Sequence, residues 1–521
     1  MLRRLAEHGR GMCNRGRPVK FCARWIVLPF VLVLGGCVAV PDWRAEAPMA
    51  DAQCLALLTD MDEAVAAHDV GDAGAARIKT FPWLRIDRFL ASFRHELSAP
   101  GAFEDWVSHL RWLDARAREI EASNLPLDAR MSLAARHATD PESLAGAANR
   151  CGDLLLQTEV LEGPLKTRDA LVRAAVAPSH YNQWQRAIGL YPLTNLGAAI
   201  GYGRWKDENL GPFARDFAAA APSESTVVYV PAAAMEEGGV SALVRAAPRS
   251  ALGLPKFSAD EVARLAAAFA PVFEIETQSD DDRLGSPFWQ REGGELLPAI
   301  DVSRPAATTR LVYTRFEGRV LPQLVYTVWF PARPLQGSFD LLGGRIDGFI
   351  WRVTLDEEGE PLIYDAIHAC GCYHMFFPVA PLRRVPVPED RDMREAPLVP
   401  KAAPRLAPGE RIHLRLAAVS HYLLDLGVRH PASTPSTYEL QSDRASPAFG
   451  ERSLPLPEGG RRSFYGPTGI VPHTERLERF TLWPLGIESP GAMRQWGTHA
   501  TAFVGERHFD DPFLFDKAFA R

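Results

Sequence analysis

Beyond residue 40 no stretch of the chain approaches 18 consecutive apolar residues, the length a helix needs to cross a bilayer core. The sequence also lacks a phosphate-binding loop, a dinucleotide fingerprint, a Ser-centred nucleophile elbow and any internal repeat. That removes the function classes those signatures announce. Positive charge is in deficit, with 58 Lys and Arg against 64 Asp and Glu and a net charge of −6. Phosphate binding needs a basic surface, so nucleic acid is disfavoured as a partner. Cysteine is scarce, seven in 521 residues, and too sparse to be the main scaffold of a chain this long.

What the chain does have begins at its start. Residues 1–24 carry seven basic groups against one acid, Glu7. An apolar run follows, Trp25 to Leu34 (WIVLPFVLVL), and then Gly35, Gly36 and Cys37. Ten apolar residues make about 15 Å of helix, half of what a bilayer core requires. The segment therefore reads as a signal peptide over residues 1–36, to be set aside before the fold is argued. The lead-in is long, and a start at Met12 would give one of ordinary length.

The stretch LVLGGC resembles the bacterial lipobox, in which a small-residue pair precedes an invariant cysteine. The resemblance covers residues 12–37 and says nothing of the chain behind it. It implies that Cys37 is lipidated and becomes the mature N-terminus, so that acyl chains hold the protein on a membrane. In that family an Asp after the cysteine often favours retention in the inner membrane. Val38 stands there instead, which implies an outer-membrane anchor facing the periplasm, with envelope proteins as possible partners. The signal takes seven basic residues and one acid with it, leaving a mature net charge of −12.

The mature chain exceeds what one hydrophobic core usually spans, so two domains are expected. After a linker at 37–50, residues 51–222 read as helical. Phe103, Trp106, Val107, Leu110, Leu113, Ala117 and Ile120 recur at three and four, one apolar stripe on a 3.6-residue period. Leu84, Phe89, Leu90, Phe93 and Leu97 repeat the pattern, and Asp140 to Ser143 offers a cap for another helix. From 223 to 521 the period changes to two. Segments 309–316, 322–330, 347–355 and 361–368 alternate and are rich in Val, Tyr, Trp and Ile. The last two flank the turn DEEGEP and predict an antiparallel hairpin. Strands are also expected at 410–419 and 479–486, and a helix at 258–270 capped by Ser258. The Pro-rich stretch 383–409 reads as a long loop. The expected class is α+β, a helical N-terminal domain followed by a mainly antiparallel, β-rich C-terminal domain.

The densest chemistry lies in YDAIHACGCYHMFFP, residues 364–378. His368, Cys370, Cys372 and His374 fall within seven residues, where the chain's 14 His and seven Cys would place about 0.3 by chance. On a straight strand they share a face but spread over roughly 20 Å. One metal ion with bonds of about 2.0–2.3 Å gathers them only if the chain folds back at Gly371, which a residue without Cβ permits. Thiolate and imidazole together suit Zn or Cu(I). Three other readings stand beside a metal site: a Cys370–Cys372 disulfide, a thiol nucleophile activated by histidine and Asp365, and cysteines that merely pack. His421, His473 and His499 are further candidates to complete a site. In an oxidising compartment Cys54 and Cys151 are expected to pair, closing a loop worth up to roughly 4–5 kcal/mol in the chain-entropy model. Two function classes follow. One is a lipid-anchored envelope protein with a metal or thiol site, whose catalytic residues are not indicated; the other is a non-catalytic envelope component in which Cys-Gly-Cys is a structural disulfide.

Replacing Cys37 by Ala is expected to abolish lipid attachment. Mass analysis of the N-terminal peptide checks this, and a wild-type protein without acyl groups would overturn it.

Overall fold

Helix, strand and turn positions are fixed locally by where the apolar period and the breakers fall. The computed structural model describes residues 49–219, 222–233, 239–387, 395–429, 435–443 and 450–521. Cys37 and part of the Pro-rich stretch lie outside these. Residues Pro48–Arg521 form one compact unit, so the change of period near residue 222 is a change of element type within that unit.

The first part runs α1 (Met49–Ala67), the hairpin of β1 (Ala76–Ile78) and β2 (Phe81–Ile86), the single turn α2 (Arg88–Ala91), α3 (Ala102–Asn124), α4 (Leu127–Arg136), α5 (Leu144–Leu155), α6 (Leu165–Ala174), α7 (Gln183–Ile188) and α8 (Tyr191–Asn209). The stripe on α3 is buried as its period demands, from Phe103 to Ile120. A continuous helix from Leu84 to Leu97 does not form, because Leu84 lies in β2. Pro82 cannot donate to a helical ladder and suits an extended strand. Asp87 then caps α2, accepting the Leu90 N–H at 2.7 Å. Ser143 precedes α5, but its side chain makes no capping bond. Cys54 on α1 and Cys151 on α5 form the expected disulfide, with Cα atoms 5.0 Å apart.

The second part is dominated by one sheet. Its elements are β3 (Thr226–Pro231), α9 (Val240–Ala246), α10 (Ala259–Phe269), β4 (Val272–Glu276), the separate hairpin β5 (Ser286–Glu292) and β6 (Glu295–Asp301), β7 (Ala306–Phe316), β8 (Arg319–Arg333), β9 (Gly344–Leu355), β10 (Pro361–His368) and β11 (Met375–Pro378). After the two-residue β12 (Arg383–Arg384) come β13 (His413–Leu416), β14 (Leu423–Gly427) and β15 (Ser436–Ser442). Ten strands join in the order β11-β10-β9-β8-β7-β15-β3-β4-β13-β14. The meander β7 to β11 is antiparallel throughout, as the alternation and turns predict. The sheet as a whole is mixed rather than mainly antiparallel, because β15 runs parallel to both β3 and β7, and β13 parallel to β4. These pairings join strands far apart in sequence, where no local turn announces direction. Ser258 caps α10 in a full capping box with Glu261. The strand expected at 479–486 is instead α11 (Arg479–Leu482) and a 3₁₀ turn over Trp483–Leu485. Pro484 and the left-handed Gly486 leave no run long enough to pair.

β9 and β10 are buried on both faces. Tyr326, Trp351, Val353, Tyr364 and Ala366 pack in the core of one face, and Val325, Trp329, Ile350 and Ile367 in that of the other. The helices are tied to the C-terminal part by buried charge. Arg452 donates from Nε and Nη2 to the Asp72 carboxylate at 2.9 and 2.6 Å, and Gln495 Nε2 donates to it at 2.7 Å. The Asp72 backbone N–H donates to Glu121 on α3 at 3.0 Å, and Arg85 on β2 donates to both Glu121 oxygens at 2.8 Å. Burial disfavours the Asp72 charge, but Arg452, Arg85 and Gln495 outweigh it and hold the pKa at about 2.

Replacing Arg452 by Ala would leave Asp72 buried without its cation, a loss of about 3–5 kcal/mol. An unchanged urea midpoint would overturn this. Since the folded pKa of Asp72 lies below the unfolded value, its contribution is present above about pH 4 and is lost as pH falls towards 2.

Candidate functional site

The chain does fold back at Gly371. Gly371 has φ +94°, and a Cβ there would stand 2.6 Å from the Ala500 carbonyl oxygen, so only glycine fits. The Gly371 N–H donates to His368 O at 2.7 Å, the His368 N–H to Cys372 O at 3.0 Å, and β11 returns beside β10. The fold-back separates the histidines. His368 follows Tyr364 and Ala366 on one face of β10, whereas His374 reaches Asp365 on the other.

His374 is fully buried, with Nε2 2.8 Å from Asp365 Oδ2 and Nδ1 3.4 Å from Thr501 Oγ1. Burial lowers its pKa to about 4 despite the carboxylate, so the neutral ring donates to Asp365. Asp365 in turn holds the Arg352 guanidinium at 2.9 and 2.6 Å. Cys370 and Cys372 are free thiols packed with Ile367, Ala369 and Met493. The Cys372 thiol is pushed well up, first by its hydrogen bond with Cys370 and then by burial. A thiol nucleophile needs the opposite shift, towards thiolate. Among the described residues no group of three or more His, Cys, Asp and Glu is arranged to hold a metal ion. The four motif residues are therefore not one ligand set here.

The other candidates are dispersed. His421 lies between Asp347 (Nδ1 to Oδ2, 2.9 Å) and Asp282 (Nε2 to Oδ1, 3.4 Å), its ring stacked on Phe330 at 3.9 Å. Burial opposes its charge, but the two carboxylates prevail and raise its pKa. This is a buried ion cluster joining three segments. His368 stands beside it, Nδ1 3.8 Å from Asp347. His473 is on the surface, 3.7 Å from Glu295. His499 is buried with Nε2 3.2 Å from Ala369 O, and burial lowers its pKa to about 3.

A better-formed site lies elsewhere, where α3 passes over β7. There a cleft of about 450 Å³ is lined by Trp112 and His109 of α3, Arg310 and Tyr313 of β7, and Asp87, Phe89, Asp443, Trp496 and Asp510 from loops and α2. Asp72 and Arg452 of the buried ion network form part of its wall. Arg310 Nη2 meets Asp443 Oδ2 at 2.9 Å. Asp443 is 5% exposed, and its Oδ1 has no hydrogen-bond partner among the described residues. Arg88 Nη1 donates to Asp510 at 3.0 and 2.9 Å. The Asp87 carboxyl is raised to about 6, by burial first and by the nearby Asp510 charge as well.

No family model, curated protein or solved structure matches the chain. The chemistry of the cleft has to be read from its own geometry. Aromatic rings, an arginine–carboxylate pair in the wall, and a carboxyl raised to about 6 suit a small polar ligand with an apolar face. Of these residues Phe89 belongs to an apolar repeat that the sequence shows, and that repeat speaks of packing rather than of a site. Asp87 carries a second legible signal, as the polar residue before α2, and that signal speaks of a cap rather than a site.

Asp87 is expected to titrate near pH 6, and Asp510→Asn to bring that value down by removing a like charge. Because the folded pKa exceeds 3.8, Asp87 favours folding most below about pH 4, and that contribution is lost as pH rises through 6. Carbon-detected NMR of Asp side chains measures both forms. A wild-type value at or below 4 would overturn the assignment.

Proposed function

We propose that the protein is a lipid-anchored component of the cell envelope that binds a small polyhydroxylated ligand, sugar-like in chemistry, in the α3–β7 cleft. The observation that carries the reading is the cleft itself, in whose wall Arg310 holds one oxygen of Asp443 while the other, buried, has no partner among the described residues. A buried carboxylate oxygen needs a donor, and a ligand hydroxyl supplies one. Arg310 and Asp443 together offer a planar donor–acceptor pair to adjacent hydroxyls. Trp112, Trp496 and Tyr313 offer flat apolar faces to the C–H side of a ring. The titrating Asp87 gives the site a group able to hold or release a proton near neutral pH. The anchor part of the reading is supported by the basic, apolar and Gly-Gly-Cys37 order of the first 37 residues.

A narrower second reading concerns the hairpin. Two free, hydrogen-bonded thiols two residues apart support a redox-sensitive pair at Cys370 and Cys372 in an otherwise non-catalytic protein. The cleft is preferred because it is open to a ligand, whereas both thiols are buried.

Calorimetric titration with disaccharides of hexoses and N-acetylhexosamines tests the cleft. Trp112 is 45% exposed, so Trp112→Ala should leave the fold intact and weaken binding about tenfold, the effect of about 1–2 kcal/mol of lost ring contact. Failure of every sugar to bind, or equal binding by this variant, would refute the reading.

A further inference from the structure

We infer that the outer face of α7 and α8 seats on a lipid bilayer, so that the protein lies against the membrane rather than only hanging from it. This rests on the lipid-anchored reading above and adds a second contact to it. The 17 residues 187–203, between Arg186 and Arg204, contain no charge. They form most of α8, a helix of 19 residues in which none is buried. Leu193, Leu196 and Ile200 are exposed at 71%, 49% and 53%, and their spacing of three and four puts them on one stripe. Gly197 and Gly201 fall on the same side, and a Cβ on either would meet nothing within 4 Å.

The stripe does not stand alone. Trp184 and Ile188 on α7 are exposed at 77% and 70%. Both helices pack on the turn Trp483–Leu485, next to which Phe480 is exposed with the Arg479 guanidinium 4.9 Å from its ring. Of the 18 large apolar side chains exposed among the described residues, half lie between Trp184 and Ile200 or on 477–483. Scattered apolar residues need no explanation, but a concentration of this kind marks an interaction face.

Chain length argues that the occupant is the bilayer. Cys37 stands 12 residues before Met49, a tether of about 40 Å at full extension. A body of this size has a radius of gyration of about 23 Å, so one side of it stays close to the surface that holds the lipid. Leucine and isoleucine on the stripe, Trp184 on the adjoining α7 and Arg204 at the C-terminal end of the stripe are residue types found on helices that lie in a membrane interface. The mature net charge of −12 makes attraction to anionic lipid a poor alternative. The expected contact is apolar and insensitive to salt.

Residues 48–521 form one compact unit without the tether, so this piece tests the face independently of lipidation. The measurement is co-sedimentation with phosphatidylcholine vesicles, with phosphatidylglycerol vesicles as a second arm. Wild type should bind the neutral vesicles equally at low and high salt. The double variant Leu193→Asp/Ile200→Asp, and separately Trp184→Gln/Ile188→Gln, should bind at least tenfold more weakly with unchanged circular dichroism. Leu165→Asp, at an equally exposed position on α6, should bind as wild type. Absence of vesicle binding, equal loss in the Leu165 variant, binding only to anionic vesicles, or self-association through the stripe in place of vesicle binding would each overturn the proposal. Loss of the acyl group from Cys37 in the full-length protein is a separate failure, and it would leave the vesicle result standing.

Discussion

The contact between Asp72 and Arg452, 380 residues apart in the chain, sets how the helices meet the sheet. Charges this deep are costly to desolvate, and the pair is maintained only because every neighbour contributes. Gln495 shares the Asp72 carboxylate, the Asp72 N–H caps Glu121, and Arg85 spans Glu121 and the Asp72 carbonyl. Arg85 also approaches Asp114, which holds Arg118, which holds Asp62 on α1. An apolar interface tolerates sliding by a residue, but this one does not, since any shift strands an ion. The α3 stripe supplies the burial and the ion network supplies the register.

That register creates the cleft. Trp112 of α3 and Arg310 and Tyr313 of β7 line it, and Asp72 and Arg452 form part of its wall. The low-dielectric setting opposes the charge of both Asp72 and Asp87, and only at Asp72 is it outweighed. Asp72 has the Arg452 guanidinium in bidentate contact, whereas Arg88, beside Asp87 in the chain, gives its guanidinium to Asp510. The two aspartates of the cleft are thus shifted in opposite directions, and the difference comes from partners rather than burial. A rigid ion pair beside a titrating carboxyl is an arrangement suited to binding and proton exchange.

The hairpin that concentrates histidine and cysteine works differently. One chain of its polar groups is consumed by the fold: His374 orients Asp365, which fixes Arg352, whose Nη1 donates to the Phe509 carbonyl at 2.6 Å. His421 braces Asp347 and Asp282 in the same manner. Residue types that carry chemistry are also the ones able to satisfy buried polar atoms, and a cluster in sequence does not distinguish the two uses. The distinction depends on which face each side chain takes after the turn, and Gly371 sends His368 and His374 to opposite faces.

By itself the sequence determined what nearest neighbours decide: the signal-like start with its lipobox resemblance, the α3 stripe, the Ser258 cap, the meander from 309 to 368, the bend at Gly371 and the Cys54–Cys151 pair once oxidation is assumed. Each depends on a period, a cap or a backbone preference spanning a few residues, or on counting cysteines. Tertiary structure decided the rest. The parallel partners of β15 and β13 and the meeting of Asp87, Arg310, Asp443 and Asp510 depend on contacts between residues distant in the chain. No local pattern encodes those, because the energy that selects them is burial and ion pairing across surfaces that exist only once the chain has folded.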